Sequence, residues 1–290
     1  MNVLLLGGTG FIGTALSQTL GDRSHNVTVV ARNPPADHNA DSAIAGDISH
    51  PSTIRSAFEG IDVVVNLIAL SPLFDPPAGI THDEVHRGGT QTALGLADAH
   101  EVDRFVQMSA LGSDPDGPTA YIRAKGRAEQ LVRESSIESV IIRPSVVFGD
   151  GGEFVDFTRL LTTPYVTGLP GGGHTRFQPI WVGDLAPLLA DAVAEPAHAD
   201  AEYELGGPEA ITLAEVTKHI YDTVVVLPIP MALAKIGLTI ADHLSFVPMG
   251  IDQYRSLAFD NIVESNDVTS FGVDQGELRS LADHLERSRS

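Results

Sequence analysis

Residues 2–13 read NVLLLGGTGFIG, a short apolar run that passes without a break into a glycine-rich turn. The run Asn2 to Leu6 predicts a buried β-strand, and Thr14 to Leu20, after the turn, predicts a helix. Gly7 and Gly10 stand where the backbone must take dihedrals closed to residues with a Cβ and come close to a ligand. Gly13 has no side chain because the new helix must lie tight against the strand it left. The spacing is G-x-x-G-x-x-G counted from Gly7 and G-x-G-x-x-G counted from Gly8. Between a strand and a helix, the N–H groups of the helix's first turn and its dipole make a seat for a pyrophosphate, so a dinucleotide is the expected ligand.

Outward from this turn, strands and helices alternate. His25 to Ala31 (HNVTVVA) and Ser42 to Ala45 read as strands, and Pro51 to Phe58 as a helix. Ile61 to Ala69 (IDVVVNLIA) reads as a central parallel strand, Thr90 to Ala99 as a helix and Arg104 to Met108 as the next strand. The alternation predicts an α/β fold, a Rossmann-like doubly wound parallel sheet with a small C-terminal substrate lobe. Residues 1–150 are expected to form the dinucleotide-binding domain, joined by a later segment near 176–200, and residues 151–290 mainly the lobe.

Within the second half, Phe154 to Leu161 and Asp184 to Ala194 read as helices and Arg176 to Trp181 as a short strand. Thr212-Leu213-Ala214-Glu215 fits a capping box that opens a helix, Val224 to Pro230 is an apolar segment with proline ends, and Glu277 to Arg287 is a polar helix. Met231 to Met249 is apolar but interrupted by Lys235, Asp242 and His243. It fits either a lobe helix over a greasy pocket or a surface docked on a partner or membrane, and the charged residues favour the pocket.

Two positions bear on which dinucleotide is held. At the end of the second strand such folds place an acidic residue on the adenosine ribose, whereas here Ala31-Arg32-Asn33 stands. Arg32 would pair with a 2′-phosphate, which favours NADP(H) and leaves NAD(H) as the alternative. Asp47, in Gly46-Asp47-Ile48, sits where a loop can reach an adenine amino group or cap a turn.

The candidate chemistry lies in Ser109-Ala110-Leu111-Gly112 and Tyr121-Ile122-Arg123-Ala124-Lys125. Residues four apart share a helix face, so the Lys125 ammonium can lie near the Tyr121 phenol. A phenol titrating near 10 is a weak acid or base at neutral pH, and positive charge from Lys125 and an oxidised nicotinamide would lower it toward a useful range. Ser109, at a strand end, would orient a carbonyl or hydroxyl. The other tempting pair, His82 and His86, shares a helix face, but glutamate does not directly follow the first histidine and no third ligand is evident, so no metal is expected.

The totals exclude several classes. There is no cysteine, hence no disulfide, thiolate metal site or cysteine nucleophile. No run of eighteen uncharged apolar residues occurs and no basic residues precede the N-terminal apolar run, which argues against a membrane span or signal peptide and for a cytoplasmic protein. Acidic residues outnumber basic ones 38 to 18, and only Lys125, Lys218 and Lys235 are lysines. A net charge of −20 repels nucleic acid and anionic membrane surfaces, and it suits a halophile's concentrated cytosol, where salt screens self-repulsion.

With these residues assembled, the chain resembles the short-chain dehydrogenase/reductase superfamily, in its extended and atypical, epimerase/dehydratase-like branches. More narrowly it is similar to the subgroup containing the nucleotide-binding accessory subunit of respiratory complex I. The segments that carry the resemblance are Gly7 to Gly13, Gly46-Asp47, Asn66 to Ala69, Val85-His86, RFVQMSALG at 104–112, YIRAKGRAE at 121–129, RPSVVFG at 143–149, QPIWVGD at 178–184 and YELGGP at 203–208. The resemblance implies that Gly7, Thr9, Gly10, Phe11, Ile12 and Gly13 hold the pyrophosphate, Arg32 and Asn33 the adenosine phosphate, and Asp47 and Ile48 the adenine. Leu67, Ile68 and Ala69 would pack along the cofactor, Tyr121 and Lys125 would meet its nicotinamide end, and Pro144 with Val147 would flank the nicotinamide. Extended members often carry the catalytic serine or threonine one place later, where this chain has Ala110, and many carry asparagine where it has His86.

Three functional readings follow. One is an oxidoreductase that moves hydride between nicotinamide and a carbonyl or hydroxyl carbon of an unknown small substrate. Another is a non-catalytic nucleotide-binding subunit, structural or sensing, docked on a membrane-bound complex at the membrane's inner face. The third is a nucleotide-sugar epimerase or dehydratase, which the lobe's lack of a basic cluster disfavours. A homo-oligomer is compatible with each.

Overall fold

The computed structural model describes residues 1–221, 223–230 and 259–288. The apolar stretch at 231–249 lies outside the described residues. The chain divides into two compact units, one comprising 1–70, 77–143 and 182–203, the other 71–76, 144–181 and 204–290.

The first unit opens with strand β1 (Asn2–Leu6), helix α1 (Phe11–Asp22), β2 (Asn26–Ala31) and β3 (Ser42–Ala45). It continues with β4 (Val63–Asn66), α2 (Gly89–Ala99), β5 (Arg104–Met108), α3 (Ala120–Arg133) and β6 (Glu138–Pro144). The second unit holds β7 (Val147–Phe148), α4 (Glu153–Leu161), β8 (Val166–Pro170), β9 (Arg176–Phe177) and β10 (Ile180–Trp181). The chain then re-enters the first unit with α5 (Val182–Ala194) and β11 (Ala201–Leu205) before β12 (Ile211–Thr212), α6 (Leu213–Ile220) and β13 (Val225–Ile229).

The central sheet has seven strands in the order β11-β6-β5-β4-β1-β2-β3. Every pairing from β3 through to β6 is parallel. The chain runs outward from β1 to β3, then crosses back to lay β4 on β1's other side. This is the doubly wound fold expected, and the reversal between β1 and β4 opens a crevice at their carboxyl ends. Val3 to Leu6 have no exposed surface, which is why that run is apolar without alternation. Leu4, Leu6, Val64, Phe58 and Phe105 form the core of this unit. Helix α1 packs with α5, and α2 with α3.

Some elements differ from expectation. Pro51 to Phe58 is two 3-10 turns, Pro51–Thr53 and Arg55–Phe58, parted at Ile54 with φ −119° and ψ −7°. The strand expected over 61–69 is regular only over Val63–Asn66, with Leu67 still donating its N–H to Leu6 O and Ile68 and Ala69 lying beyond it. Ahead of α2, Asp83–Gly88 is one π-helical turn.

In the second unit the short strands pair two by two, β7 with β10, β9 with β12 and β8 with β13. Phe148, Phe154, Val216, Leu281 and Leu285 make its core. Arg176–Trp181 is two strands interrupted at Gln178-Pro179 rather than one. The capping box at Thr212 is present, with Thr212 Oγ1 accepting from Glu215 N–H and the Glu215 carboxylate accepting from Thr212 N–H. The expected helix at 277–287 is confined to Leu281–Arg287.

Candidate functional site

The turn after β1 is built as its glycines require. Gly7 has φ +81°, and a Cβ there would lie 3.3 Å from the backbone of Leu67 and Ile68. A Cβ on Gly13 would lie 2.6 Å from the Gly7 carbonyl oxygen, so helix α1 could not leave the strand so closely with any other residue. Gly10 differs from expectation: its φ of −76° and ψ of 176° are open to most residues, and it is the N-cap of α1. That cap carries no side-chain hydrogen bond and the first turn holds no acidic residue. The N–H groups of Phe11, Ile12 and Gly13 thus keep their donors for an anion, and the residues present fit a dinucleotide's phosphates.

The adjoining strand ends converge on the same edge. Gly7 N–H donates to Val30 O at 2.9 Å, Leu67 N–H to Leu6 O at 2.9 Å and Gly46 N–H to Ala31 O at 3.0 Å. Through these bonds the Gly7 turn, Arg32 and Gly46-Asp47-Ile48 sit at the carboxyl ends of neighbouring strands. Asp47 accepts from the Ser49 hydroxyl at 2.7 Å and the Ser49 N–H at 2.9 Å. Those bonds, with smaller help from His50 and Arg32, hold its carboxyl below the usual range. Asp47 therefore stays ionised beside Arg32. The Ile48 side chain belongs to the core, so only its backbone can face a ligand. Leu67 and Ile68 are half-buried and Ala69 is exposed, an apolar lip beyond β4. Thr9, Phe11 and Ile12 are half-buried and Asn33 is exposed. Pro144 and Val147 belong to the second unit.

Helix α3 carries the candidate chemistry. Thr119 Oγ1 caps it by accepting from Ile122 N–H at 3.2 Å. One stripe of this helix then presents Tyr121, Lys125, Glu129 and Arg133, each four residues from the last. Lys125 is 1% exposed and its Nζ donates to Met108 O, the last carbonyl of β5, at 2.8 Å. Burial lowers its pKa to about 8, against the opposing pull of Glu129. Its Nζ is 5.9 Å from the Tyr121 ring centroid. The expected lowering of the phenol does not arise from the protein's own groups, because desolvation raises the Tyr121 pKa above its ordinary value.

Ser109 has a partner that the sequence reading missed. Its Oγ donates to Glu129 Oε1 and lies 3.0 Å from Ser113 Oγ. Glu129 also accepts from Arg143 Nε at 2.8 Å, Arg143 Nη2 at 2.6 Å and Arg133 Nη2 at 2.8 Å. Glu202 bridges the same two guanidiniums. The Ser109 hydroxyl is thus engaged with a buried carboxylate. The spacing Tyr-x-x-x-Lys-x-x-x-Glu is the signal that could have revealed Glu129.

The two histidines form no metal cluster among the described residues. They pack on Tyr121 instead. His82 and His86 stack at 5.6 Å with 12° between their planes. Tyr121 stands edge-on to both, at 5.6 Å and 77° to His82 and at 5.3 Å and 84° to His86.

A family model described as NAD(P)H-binding matches residues 7–161, more than half of the 290. The chain belongs to that family. Within it, this NAD(P)H-binding protein is an extended short-chain dehydrogenase/reductase akin to the complex I accessory subunit. It is 27% identical to NADH dehydrogenase (ubiquinone) 1 alpha subcomplex subunit 9, mitochondrial, of Arabidopsis thaliana, over 90% of this chain and 71% of that protein. It is 31% identical to an epimerase family protein of Bos taurus, over 68% of this chain and 71% of that one. A solved nucleoside-diphosphate-sugar epimerase from Staphylococcus aureus superposes with a TM-score of 0.74 at 18% identity, covering 99% of this chain and 100% of its own.

Proposed function

We propose that this NAD(P)H-binding protein is an oxidoreductase that uses NADP(H) in preference to NAD(H) and acts on a carbonyl or hydroxyl carbon. The observation that carries the reading is the shared edge of the sheet, where an uncapped α1 N-terminus, the Gly7 turn, Arg32 and Asp47 sit together. When bound, the nicotinamide nucleotide supplies the carbon that carries hydride. The protein's part is to hold and to exchange a proton. The N–H groups of Phe11 to Gly13 bind the pyrophosphate, the Arg32 guanidinium pairs with a 2′-phosphate, and Leu67 to Ala69 line the nucleotide. Tyr121 delivers or removes the proton on the substrate oxygen, and Lys125 steadies the ribose and the phenol.

A second reading is supported by Ser109 and Ala110, which leave no hydroxyl at the strand end unengaged by the protein, and by the mitochondrial subunit relatives. In that reading the nucleotide is held without turnover in a larger, membrane-associated assembly. Fluorescence titration with NADPH and NADH in molar salt tests the first reading's specificity. Tight NADPH binding with weak NADH binding supports it, and the reverse order overturns the role of Arg32. Tyr121→Phe should then abolish carbonyl reduction while leaving NADPH affinity intact. A protein that binds NADPH tightly yet reduces no member of a broad carbonyl panel belongs to the second reading.

A further inference from the structure

On the face of β4 and β5 that carries the core residues Val64 and Phe105, the next register holds a pair of amides, Asn66 opposite Gln107. Both are buried, and Thr90 of α2, with no exposed surface, closes the group. Asn66 Nδ2 donates to Thr90 Oγ1 at 3.1 Å and to Gln107 Oε1 at 3.0 Å, and Thr90 Oγ1 donates to that same Gln107 oxygen at 3.2 Å. Apolar side chains would fill this layer without any polar atom to satisfy, as Val64 and Phe105 do two residues earlier. Exchanging hydrogen-bonded groups for apolar ones of the same shape is close to neutral for stability, so packing alone does not call for the amides. They add direction, because each one aims a hydrogen bond out of the core.

Both outlets are backbone groups at the carboxyl ends of the strands. Asn66 Oδ1 accepts from Ile68 N–H at 3.3 Å, in the segment that would line the nucleotide. Gln107 Nε2 donates to Met108 O at 3.0 Å, and this is the carbonyl to which Lys125 Nζ donates at 2.8 Å. A carbonyl oxygen has two lone pairs, and here two side chains share them. An ammonium is a compact charge on a flexible four-carbon stem, so its position is only as fixed as the acceptor that holds it. Met108 ends β5, and Gln107 braces its carbonyl from within the sheet. Hydrogen bonds thus run without a gap from Ile68 N–H through Asn66, Gln107 and Met108 O to the buried Lys125.

We propose that Gln107 is a positioning residue for Lys125: held by Asn66 and Thr90, it fixes the Met108 carbonyl that anchors the ammonium and ties that anchor to the Ile68 end of the nucleotide seat. The proposal rests on the reading of Lys125 as the group that steadies the nicotinamide ribose. Gln107 touches neither nucleotide nor substrate and acts through Met108 O. Losing its amide frees the ammonium while strand, helix and charge stay in place, and nucleotide affinity then falls through Lys125 alone.

The test exploits the chain's three lysines, Lys125, Lys218 and Lys235. With lysine labelled at Cε for NMR, Lys125→Met identifies the Lys125 signal. A fixed ammonium keeps the two protons on Cε inequivalent, and a free one averages them. The expected result is two resolved shifts in nucleotide-free wild type that merge in Gln107→Met, a side chain of similar length without the amide. Merged shifts in the wild type, or resolved shifts that persist in Gln107→Met, overturn the proposal. Should Gln107→Met not fold, Thr90→Val removes only the hydroxyl that donates to Gln107 Oε1 and should narrow the splitting, and a wild-type splitting there overturns the proposal. A second arm titrates NADPH. Lys125→Met should weaken binding about tenfold, the low end for a hydrogen bond to a charged group, and Gln107→Met about fivefold. The double variant should bind no more weakly than Lys125→Met alone, because the two residues act as one unit. Losses that multiply would show Gln107 acting apart from Lys125 and overturn the positioning role. Wild-type affinity in Lys125→Met defeats the ribose reading instead, and the Cε proton shifts still decide whether Gln107 fixes the ammonium.

Discussion

Ser109 Oγ donates to Glu129 Oε1 at 2.5 Å, tying the end of β5 to the middle of α3. The Glu129 side chain is 1% exposed and is matched by two guanidiniums, and the hydrogen bonds that Arg143 donates to Glu129 raise the Arg143 pKa. Truncating one partner of such a pair leaves the other's charge uncompensated, so Glu129→Ala should lower stability by about 3–5 kcal/mol. Ser109→Ala removes one donor among several and should cost about 1 kcal/mol. Urea denaturation in molar salt checks both. Equal losses in the two variants would show that the arginines do not depend on Glu129.

Arg32 supplies the positive charge at the carboxyl end of β2. Arg32→Asp should reduce NADPH affinity at least tenfold, the loss of a charge-assisted hydrogen bond worth about 1.5–3 kcal/mol, and leave NADH binding unchanged or improved. Calorimetric titration with each nucleotide decides it. Parallel losses for both nucleotides would place Arg32 outside 2′-phosphate recognition.

How far the sequence carried depended on whether the decisive force was local. The strand at 104–108 was legible to the residue because an apolar run between turn residues has few alternatives in a buried parallel sheet. The edge strand at 42–45 was legible from the alternation around it, although none of its residues is buried. The glycine turn was legible because backbone geometry selects glycine directly. The π-helical turn was not, since Asp83-Glu84-Val85-His86-Arg87-Gly88 reads as ordinary helix until α3 packs on it. His82 and His86 resembled a metal pair because spacing reveals a shared face but not the Tyr121 ring that fills it. Glu129 was hidden for the same reason, as its partners Ser109 and Arg143 are distant in sequence.

Two glycines of α1 should respond oppositely to alanine. At Gly13 the new Cβ would lie 2.6 Å from Gly7 O and 2.7 Å from the Gly8 backbone. Overpacking of this kind costs about 1–3 kcal/mol and should abolish nucleotide binding with it. At Gly21 nothing lies within 4 Å of the added atom, so Gly21→Ala should stabilise by about 0.5–1 kcal/mol through helix propensity. Melting temperatures of the two variants give the signs at once, and a stabilised Gly13→Ala would refute the close packing of α1 on the β1 turn.

The charge of −20 predicts that the fold depends on salt. At millimolar ionic strength the Debye length grows to about 30 Å or more, and carboxylates across the whole surface repel one another. The melting temperature should fall on dialysis from molar to millimolar potassium chloride. An unchanged value would show that the acidic excess is not an adaptation to concentrated salt.

Stability should also rise and then fall across alkaline pH. Lys125 has a folded-state pKa lowered to about 8 by burial, against an ordinary lysine value of about 10.4. Between those values the unfolded chain binds more protons than the folded one, so stability increases with pH. Tyr121 acts in the opposite sense. Desolvation raises its folded-state pKa above the ordinary phenol value, so above about pH 10 the unfolded chain ionises first and the folded state loses ground. Denaturation midpoints should therefore climb from about pH 8 toward 10 and drop beyond it. Lys125→Met should flatten the climb and Tyr121→Phe the drop. A climb that survives Lys125→Met would mean that the ammonium does not carry its burial penalty in the folded protein.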